Sequence, residues 1–485
     1  MLGGLYGQPL ALLTDFYQLS MAAAAWKAGI EDREAVFHLL FRRAPFAGGF
    51  TIAAGLGTAI EYLRDLRFTD ADLSYLAELR AESGEPMFEA KFLEHLRTLD
   101  LTVELDAVPE GTAVFPQEPL LRVRGPVVPC MLLETPLLAL INFQTLIATK
   151  AARVCLAAEG DPVLEFGLRR AQGVDGAISA ARAAYIGGVA ATSDVLAGKL
   201  LGIPVRGTHA HSWVMLFDSE REAFDTYAKA MPHNVVLLVD TYDSLQGVRS
   251  AIESGKWLRA HGRELAGIRL DSGDLAWLSI EARKLLDAAG FTGTVIYASN
   301  ELDEEVIVSL KQQGARIGAW GVGTRLVTGA DDAALGGVYK LSAVRRRGGP
   351  WKPRIKLSEQ SAKISVPGIL QIRRYLAGDE FAGDLIYDVG DPGPSRTLVD
   401  MLDVTRRKTV ADGVPHEDLL VPVLRGGELV YTPPPLAESR ARTRHQLSRL
   451  HPGIKRFVNP HQYPVGLDSA LHERRMRMIL EARGE

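Results

Sequence analysis

The chain has 485 residues, of which 47% are hydrophobic and 24% charged, and a formal net charge of −4. That length allows two or three domains with a sizeable core, and the slight acidity argues against a general nucleic-acid or membrane-surface binder. Only two cysteines occur, Cys130 and Cys155, which excludes a disulfide scaffold and suits a reducing cytoplasm.

The N-terminus shows no basic-then-apolar leader pattern. Thr14 or Asp15 can cap a helix running through an alanine-rich stretch to Gly29. Val36 to Phe41 predicts a strand, and residues 56–66 and 69–99 have amphipathic helical spacing. Segments 101–106, 112–116 and 119–124 read as short strands separated by Pro and Gly. Residues 1–136 form one mixed α/β domain on this reading. The longest apolar run, Met131 to Phe143, is interrupted by Glu134, Pro136 and Asn142, so no bilayer span is expected.

From residue 137 to 345 the pattern changes. A helix over 137–157 leads into candidate strands at Val163–Phe166, Gly188–Ala191, Val205–Thr208, Val235–Asp240, Gly267–Asp271, Val295–Ser299, Ile317–Val322 and Val338–Leu341. Helical patterns at 219–231, 244–255, 276–289 and 303–313 fill gaps between them, as repeated βα units do. This predicts an irregular (β/α) barrel of about eight strands. Residues 346–485 follow a basic turn at 345–349. They hold strand-like pieces near 354–358, 369–375 and 383–388, a hairpin near 425–430, and a basic helix over 437–450 with a solvated or subunit-facing surface.

Barrel chemistry sits at strand exits, and here those exits are polar. Gly207-Thr208-His209-Ala210-His211-Ser212-Trp213 carries two imidazoles and two hydroxyls, and imidazole serves as acid, base or nucleophile near neutral pH. Phe166-Gly167-Leu168-Arg169-Arg170 places two guanidinium forks, suited to phosphate or carboxylate, just past a strand. Ala191-Thr192-Ser193-Asp194 adds hydroxyls and an acid. Asp240 and Asp271 fall at the last strand position and read as functional, whereas Asp243 and Asp274 fit helix caps. Gly321-Val322-Gly323-Thr324 can cradle a phosphate on backbone N–H groups. No P-loop, HExxH or paired CxxC occurs, so neither a P-loop ATPase nor a fixed zinc site is expected.

An ordered set of motifs resembles the nicotinate phosphoribosyltransferase family: Thr14-Asp15-Phe16-Tyr17-Gln18, Phe166 to Gly173, Gly207-Thr208 with His211-Ser212-Trp213, Val239 to Asp243, Ile268 to Asp274, Gly321 to Thr324, and Lys356-Leu357-Ser358 with Lys363 to Gly368. The resemblance spans residues from about 10 to 370. It implies a type II phosphoribosyltransferase fold, with an N-terminal α/β sandwich domain, a catalytic barrel and a C-terminal region that partly returns to the sandwich. It implies that nicotinate and 5-phosphoribosyl 1-diphosphate give nicotinate mononucleotide and diphosphate, coupled to ATP hydrolysis, with Mg²⁺ carried on the diphosphate. By the same likeness His211 is phosphorylated by ATP, and Asp240 and Asp271 serve the ribose and Mg²⁺-diphosphate. Phe166 and Tyr17 sandwich the pyridine ring, Tyr17 reaching in from the partner of a cytoplasmic homodimer. Arg169 and Arg269 face the ring carboxylate or a nearby phosphate. Arg170, Thr208, Gly321, Gly323 and Thr324 hold phosphate. No role falls to His209.

The related nicotinamide enzymes carry an aspartate in the loop matching Thr192-Ser193, where a carboxylate would repel the nicotinate anion. This chain has Ser193, with Asp194 one place later. Nicotinate is therefore the expected base. A nicotinamide phosphoribosyltransferase and a non-catalytic phosphoribosyl-ligand sensor are the alternatives.

Overall fold

The strand Arg33–Phe41 is apolar along both faces, and its last seven positions are all buried. It is the spine of a seven-stranded antiparallel sheet in the computed structural model, which describes residue 7 and residues 9–484. The described chain divides into two units. Unit 1 holds residues up to Thr149 and from Ala334 onward, and unit 2 is Lys150–Ala333.

In unit 1, Gly337–Arg346 and Pro119–Pro126 flank Arg33–Phe41 on either side. The C-terminal region adds Val421–Arg425 and its hairpin partner Glu428–Leu429 to the same sheet. A second sheet of six strands is built wholly from residues 370–467. The expected barrel strand at Val338–Leu341 thus lies in unit 1. It is only partly buried and pairs antiparallel with Arg33–Phe41, unlike the fully apolar run of a buried parallel strand. The helical stretch Val127–Ala157 is long and apolar enough to cross a membrane, yet its Leu133, Leu137, Ile141 and Leu146 pack in the core of unit 1.

Unit 2 alternates strands and helices. Its strands in chain order are β1 (Val163–Glu165), β2 (Ala191–Thr192), β3 (Val235–Leu238), β4 (Leu265–Leu270), β5 (Val295–Ala298) and β6 (Ala319–Val322). They form one parallel sheet in the order β2-β1-β6-β5-β4-β3. The main helices are α1 (Gly173–Gly187), α2 (Val195–Leu201), α3 (His211–Val214), α4 (Glu220–Ala230), α5 (Ser244–Ala260), α6 (Leu275–Ala288) and α7 (Glu304–Gln312). Asp194, Asp243, Asp274 and Asp303 each cap the helix that follows, accepting a hydrogen bond from a backbone N–H in its first turn.

Six strands do not close a barrel through their own ladders. The outer edges of β2 and β3 are joined instead by residues 204–209, where the sequence predicts a strand at Val205–Thr208. Pro204 has no N–H, and only a single bridge forms, between Thr192 and Val205. On that side Thr192 N–H donates to Pro204 O at 3.0 Å and Arg206 N–H to Thr192 O at 2.9 Å. On the other side the outward N–H of Leu238 donates to the imidazole Nε2 of His209 at 3.1 Å. A side chain replaces a missing strand.

Among the described residues the most deeply buried ion pair lies in unit 1. Arg374 and Asp384 are both fully buried, with Arg374 Nε 3.0 Å from Asp384 Oδ1 and the Tyr463 hydroxyl donating to the same oxygen at 2.8 Å. Asp384→Ala removes the carboxylate that takes most of the buried guanidinium's hydrogen bonds and should lower unfolding free energy by about 3–5 kcal/mol in denaturant titration. A loss below about 1 kcal/mol would show that the pair is dispensable.

Candidate active site

The exits of β3 and β4 meet the His209–His211 loop at one place. Asp240 follows β3, and its side chain is only 1% exposed. Its Oδ2 accepts from the backbone N–H of Asp271 at 2.8 Å and from the Ser272 hydroxyl at 2.6 Å. Its Oδ1 is buried without a hydrogen-bond partner. His211 begins α3 and turns its Nε2 toward both acids, 3.9 Å from Asp240 Oδ1 and 3.7 Å from Asp271 Oδ2. Those separations exceed a direct hydrogen bond and leave Nε2 free for a ligand. The other ring nitrogen, Nδ1, is 3.2 Å from the Thr241 hydroxyl.

Arg269, on β4, ties this corner to its neighbours. It donates to the Thr208 hydroxyl at 2.6 Å and to Ser299 Oγ at 3.0 Å, and its guanidinium is 3.3 Å from Asp271 Oδ1. Ser299, just past β5, donates in turn to Asp271. The guanidinium lies 6.0 Å from the centre of the Phe166 ring. That ring lies on Gly321 of β6, where an added Cβ would come within 2.7 Å of it. A Cβ added at Gly323 would lie 3.1 Å from the Phe166 carbonyl oxygen. The glycines in this strand exit therefore make room for an aromatic platform as well as for any phosphate. Thr324 opens a short turn of helix, and Arg325 beside it is anchored to Asp303 at 2.5 Å.

His211, Asp240, Asp271, Arg269, Thr208, Phe166 and Gly321 are thus drawn into one constellation. Ser193 sits at the exit of β2, half-buried, its N–H donating to Glu165 O at 2.9 Å. Asp194 is buried, and its Oδ1 accepts from Ala197 N–H at 3.0 Å as the cap of α2. Arg169 and Arg170 are exposed on the turn after Phe166. Tyr17 belongs to unit 1, on the helix Phe16–Lys27, and is 48% exposed.

Several participants escape a reading of the sequence. Thr241, Ser272 and Ser299 are single hydroxyls beside the named acids. Glu220, in the first turn of α4, has its carboxyl pushed up to about 7 by burial and then by Asp240 and Asp243. His209 is 8% exposed and packs edge-on to Tyr227 at 4.9 Å. Accepting from Leu238 requires an unprotonated Nε2, so its proton sits on Nδ1, 3.3 Å from Ala210 O. Burial, aided by the charges of Arg269 and His211, pushes this imidazole down to about 4.

Comparison with known proteins gives a consistent result. Residues 12–142, 162–351 and 371–475 match the family models of the nicotinate phosphoribosyltransferase N-terminal domain, the nicotinate phosphoribosyltransferase family and its C-terminal domain. A nicotinate phosphoribosyltransferase of Bacillus subtilis is 42% identical, aligned over 99% of this chain and 97% of the relative. The crystal structure of human nicotinic acid phosphoribosyltransferase superposes with a TM-score of 0.82 at 36% identity, covering 96% of this chain and 99% of that one. A nicotinate-nucleotide pyrophosphorylase from Pyrococcus furiosus shares the fold, with a TM-score of 0.70 at 22% identity over 91% of this chain and 95% of that one.

The clip at His209 has a pH signature. Its folded pKa is depressed, so its stabilising contribution is complete above the unfolded value near 6.5 and is lost as pH falls toward 4. In His209→Gln the amide oxygen accepts from Leu238 without titrating. The stability advantage of wild type over this variant should shrink by about 3 kcal/mol between pH 7 and pH 4, read from urea midpoints. A gap that stays constant with pH would contradict the neutral-imidazole clip.

Proposed function

The chain belongs to the nicotinate phosphoribosyltransferase family, and on that footing we propose how it works. The enzyme joins nicotinate to 5-phosphoribosyl 1-diphosphate, giving nicotinate mononucleotide and diphosphate, with ATP as co-substrate, in NAD salvage. The observation that carries the reading is the imidazole of His211 poised over two carboxylates, Asp271 held by Arg269 and Ser299 and Asp240 held by the Asp271 N–H and the Ser272 hydroxyl.

In the transfer step the pyridine nitrogen of nicotinate attacks the anomeric carbon, and the bond from that carbon to the diphosphate oxygen breaks with its electron pair. The ribosyl centre becomes cationic on the way. Asp240 and Asp271 lie where their negative charge stabilises it, and their hydrogen bonds spare them reorganisation during the reaction. Phe166 supplies one face of the ring site, and Tyr17 covers the other from the partner subunit of a cytoplasmic homodimer. Arg169 and Arg269 oppose the ring carboxylate. Arg170, Thr208, Gly321, Gly323 and Thr324 receive phosphate. Ser193, in place of an acid, leaves the nicotinate anion unopposed, and the commitment of Asp194 to its helix cap supports that preference over nicotinamide.

Among the described residues no group of three or more His, Cys, Asp or Glu could hold a metal ion alone, while Asp240 Oδ1 is a buried acceptor without a donor. That donor set fits Mg²⁺ arriving on the diphosphate, which Asp240 and Asp271 would help to hold. Bound there, Mg²⁺ neutralises charge on the leaving diphosphate. His211 Nε2 takes the γ-phosphoryl group of ATP, the N–P bond forming as the bond to ADP breaks, and water later returns phosphate. The phosphorylated ring organises the diphosphate site and so couples ATP cleavage to substrate affinity.

With nicotinate, ATP should raise the rate of mononucleotide formation in wild type, and His211→Ala should retain slow transfer without any ATP stimulation. Stimulation that survives in His211→Ala would remove His211 from the coupling. Ser193→Asp places a like charge against the nicotinate carboxylate and should lower kcat/KM for nicotinate about 100-fold. Unchanged kcat/KM would refute the selectivity argument.

A further inference from the structure

Glu165 ends β1 and is 1% exposed, one residue before the aromatic platform of Phe166. A buried carboxylate in an otherwise apolar strand needs compensation, and this one has it from two different loops. Its Oε1 accepts from the backbone N–H of Gly167, and its Oε2 accepts from the Thr192 hydroxyl at 2.5 Å. The Thr192 oxygen also accepts from the N–H of Asp194 at 2.9 Å. The Glu165 carbonyl takes the N–H of Ser193. One residue therefore grips both loops that carry the proposed base site, Phe166-Gly167 on one side and Thr192-Ser193-Asp194 on the other.

The grip is registered, not loose. Gly167 has no room for a side chain, since an added Cβ would lie 2.3 Å from Val327 and 3.0 Å from Glu165 Oε1. Asp194 directs Oδ1 to its helix cap, while its Oδ2 is buried without a hydrogen-bond partner. The Asp194 carboxylate is thus only half satisfied where it stands. A slip of the loop by one residue would carry that acid toward the place of Ser193. The bond from Asp194 N–H to Thr192, held in turn by Glu165, opposes that slip. Desolvation raises the pKa of Glu165, with a further push from Asp194, while its bonds to Thr192 and Gly167 favour the ionised form.

We propose that Glu165, acting through Thr192, is a positioning residue that sets discrimination between a pyridine carboxylate and a pyridine carboxamide, by keeping Ser193 at the base site and Asp194 on its cap. The proposal rests on the phosphoribosyl-transfer reading above. It concerns the choice of base and not the chemistry at the ribose.

The test is steady-state kinetics of the full-length enzyme with nicotinate and with nicotinamide, each at varied 5-phosphoribosyl 1-diphosphate. Thr192→Val is close in shape but cannot donate to Glu165 or accept from Asp194. It should raise KM for nicotinate about tenfold and lower the nicotinate-to-nicotinamide ratio of kcat/KM at least about fivefold, with KM for 5-phosphoribosyl 1-diphosphate within about twofold of wild type. Thr192→Ser keeps the hydroxyl and should restore both quantities. If Thr192→Val does not fold, Glu165→Gln carries the same comparison, because its amide group faces two donors and can accept from only one. Base preference and nicotinate KM unchanged in a folded variant would overturn the proposal. So would an equal rise in KM for both substrates, which marks a merely structural role. Wild type that makes no mononucleotide from nicotinate would overturn the proposed function itself, and this inference with it.

Discussion

One backbone N–H, that of Leu238, decides how unit 2 can be closed. It points away from β4 at the free edge of the sheet, where no strand follows to receive it. The imidazole of His209 supplies the acceptor, and Pro204 and Arg206 bond to Thr192 at the opposite edge. The short segment between these anchors has no freedom to drift. Thr208 is consequently held against Arg269, and His211 is delivered, at the start of α3, over the exits of β3 and β4.

The charges at that mouth are arranged with the same economy. Asp240 is almost wholly buried, yet it receives a backbone N–H and a hydroxyl on one oxygen and keeps the other open toward His211. Asp271 is flanked by Arg269 and Ser299. Hydrogen bonds of this kind let carboxylates remain together in a protected site and hold their orientation while charge develops on a substrate. Unit 1 uses a related device. His38, 1% exposed, accepts the N–H of Leu370 at 3.1 Å through Nε2, and burial depresses its pKa as it does for His209. A neutral histidine serves in both units as a backbone acceptor.

Much of the site is readable from sequence because parallel strands buried on both faces appear as short apolar runs, and their polar ends are then conspicuous. Asp240 and Asp271 stand out in this way, as do the caps Asp243 and Asp274. Strand pairing is harder to read because it is non-local. Gly337–Arg346 joins Arg33–Phe41 across some 300 residues of chain, and nothing in its own pattern names that partner. The motif likeness gives His211 a role and His209 none, but the structural work of His209 depends on the Leu238 N–H, which lies 29 residues away in the chain. Glu165 did carry a signal, a lone acid inside the run Val163-Leu164-Glu165-Phe166, but its meaning depends on Thr192, 27 residues later.

The most direct test of the account is the stoichiometry of ADP released to mononucleotide formed, measured on the wild-type enzyme with 5-phosphoribosyl 1-diphosphate, Mg²⁺ and ATP. The account predicts that nicotinate yields mononucleotide with ADP appearing alongside it, in a ratio near one at saturating substrates, and that nicotinamide yields neither at a comparable rate. Mononucleotide formed from nicotinamide in preference to nicotinate, or formed from nicotinate with no ADP released, would contradict it.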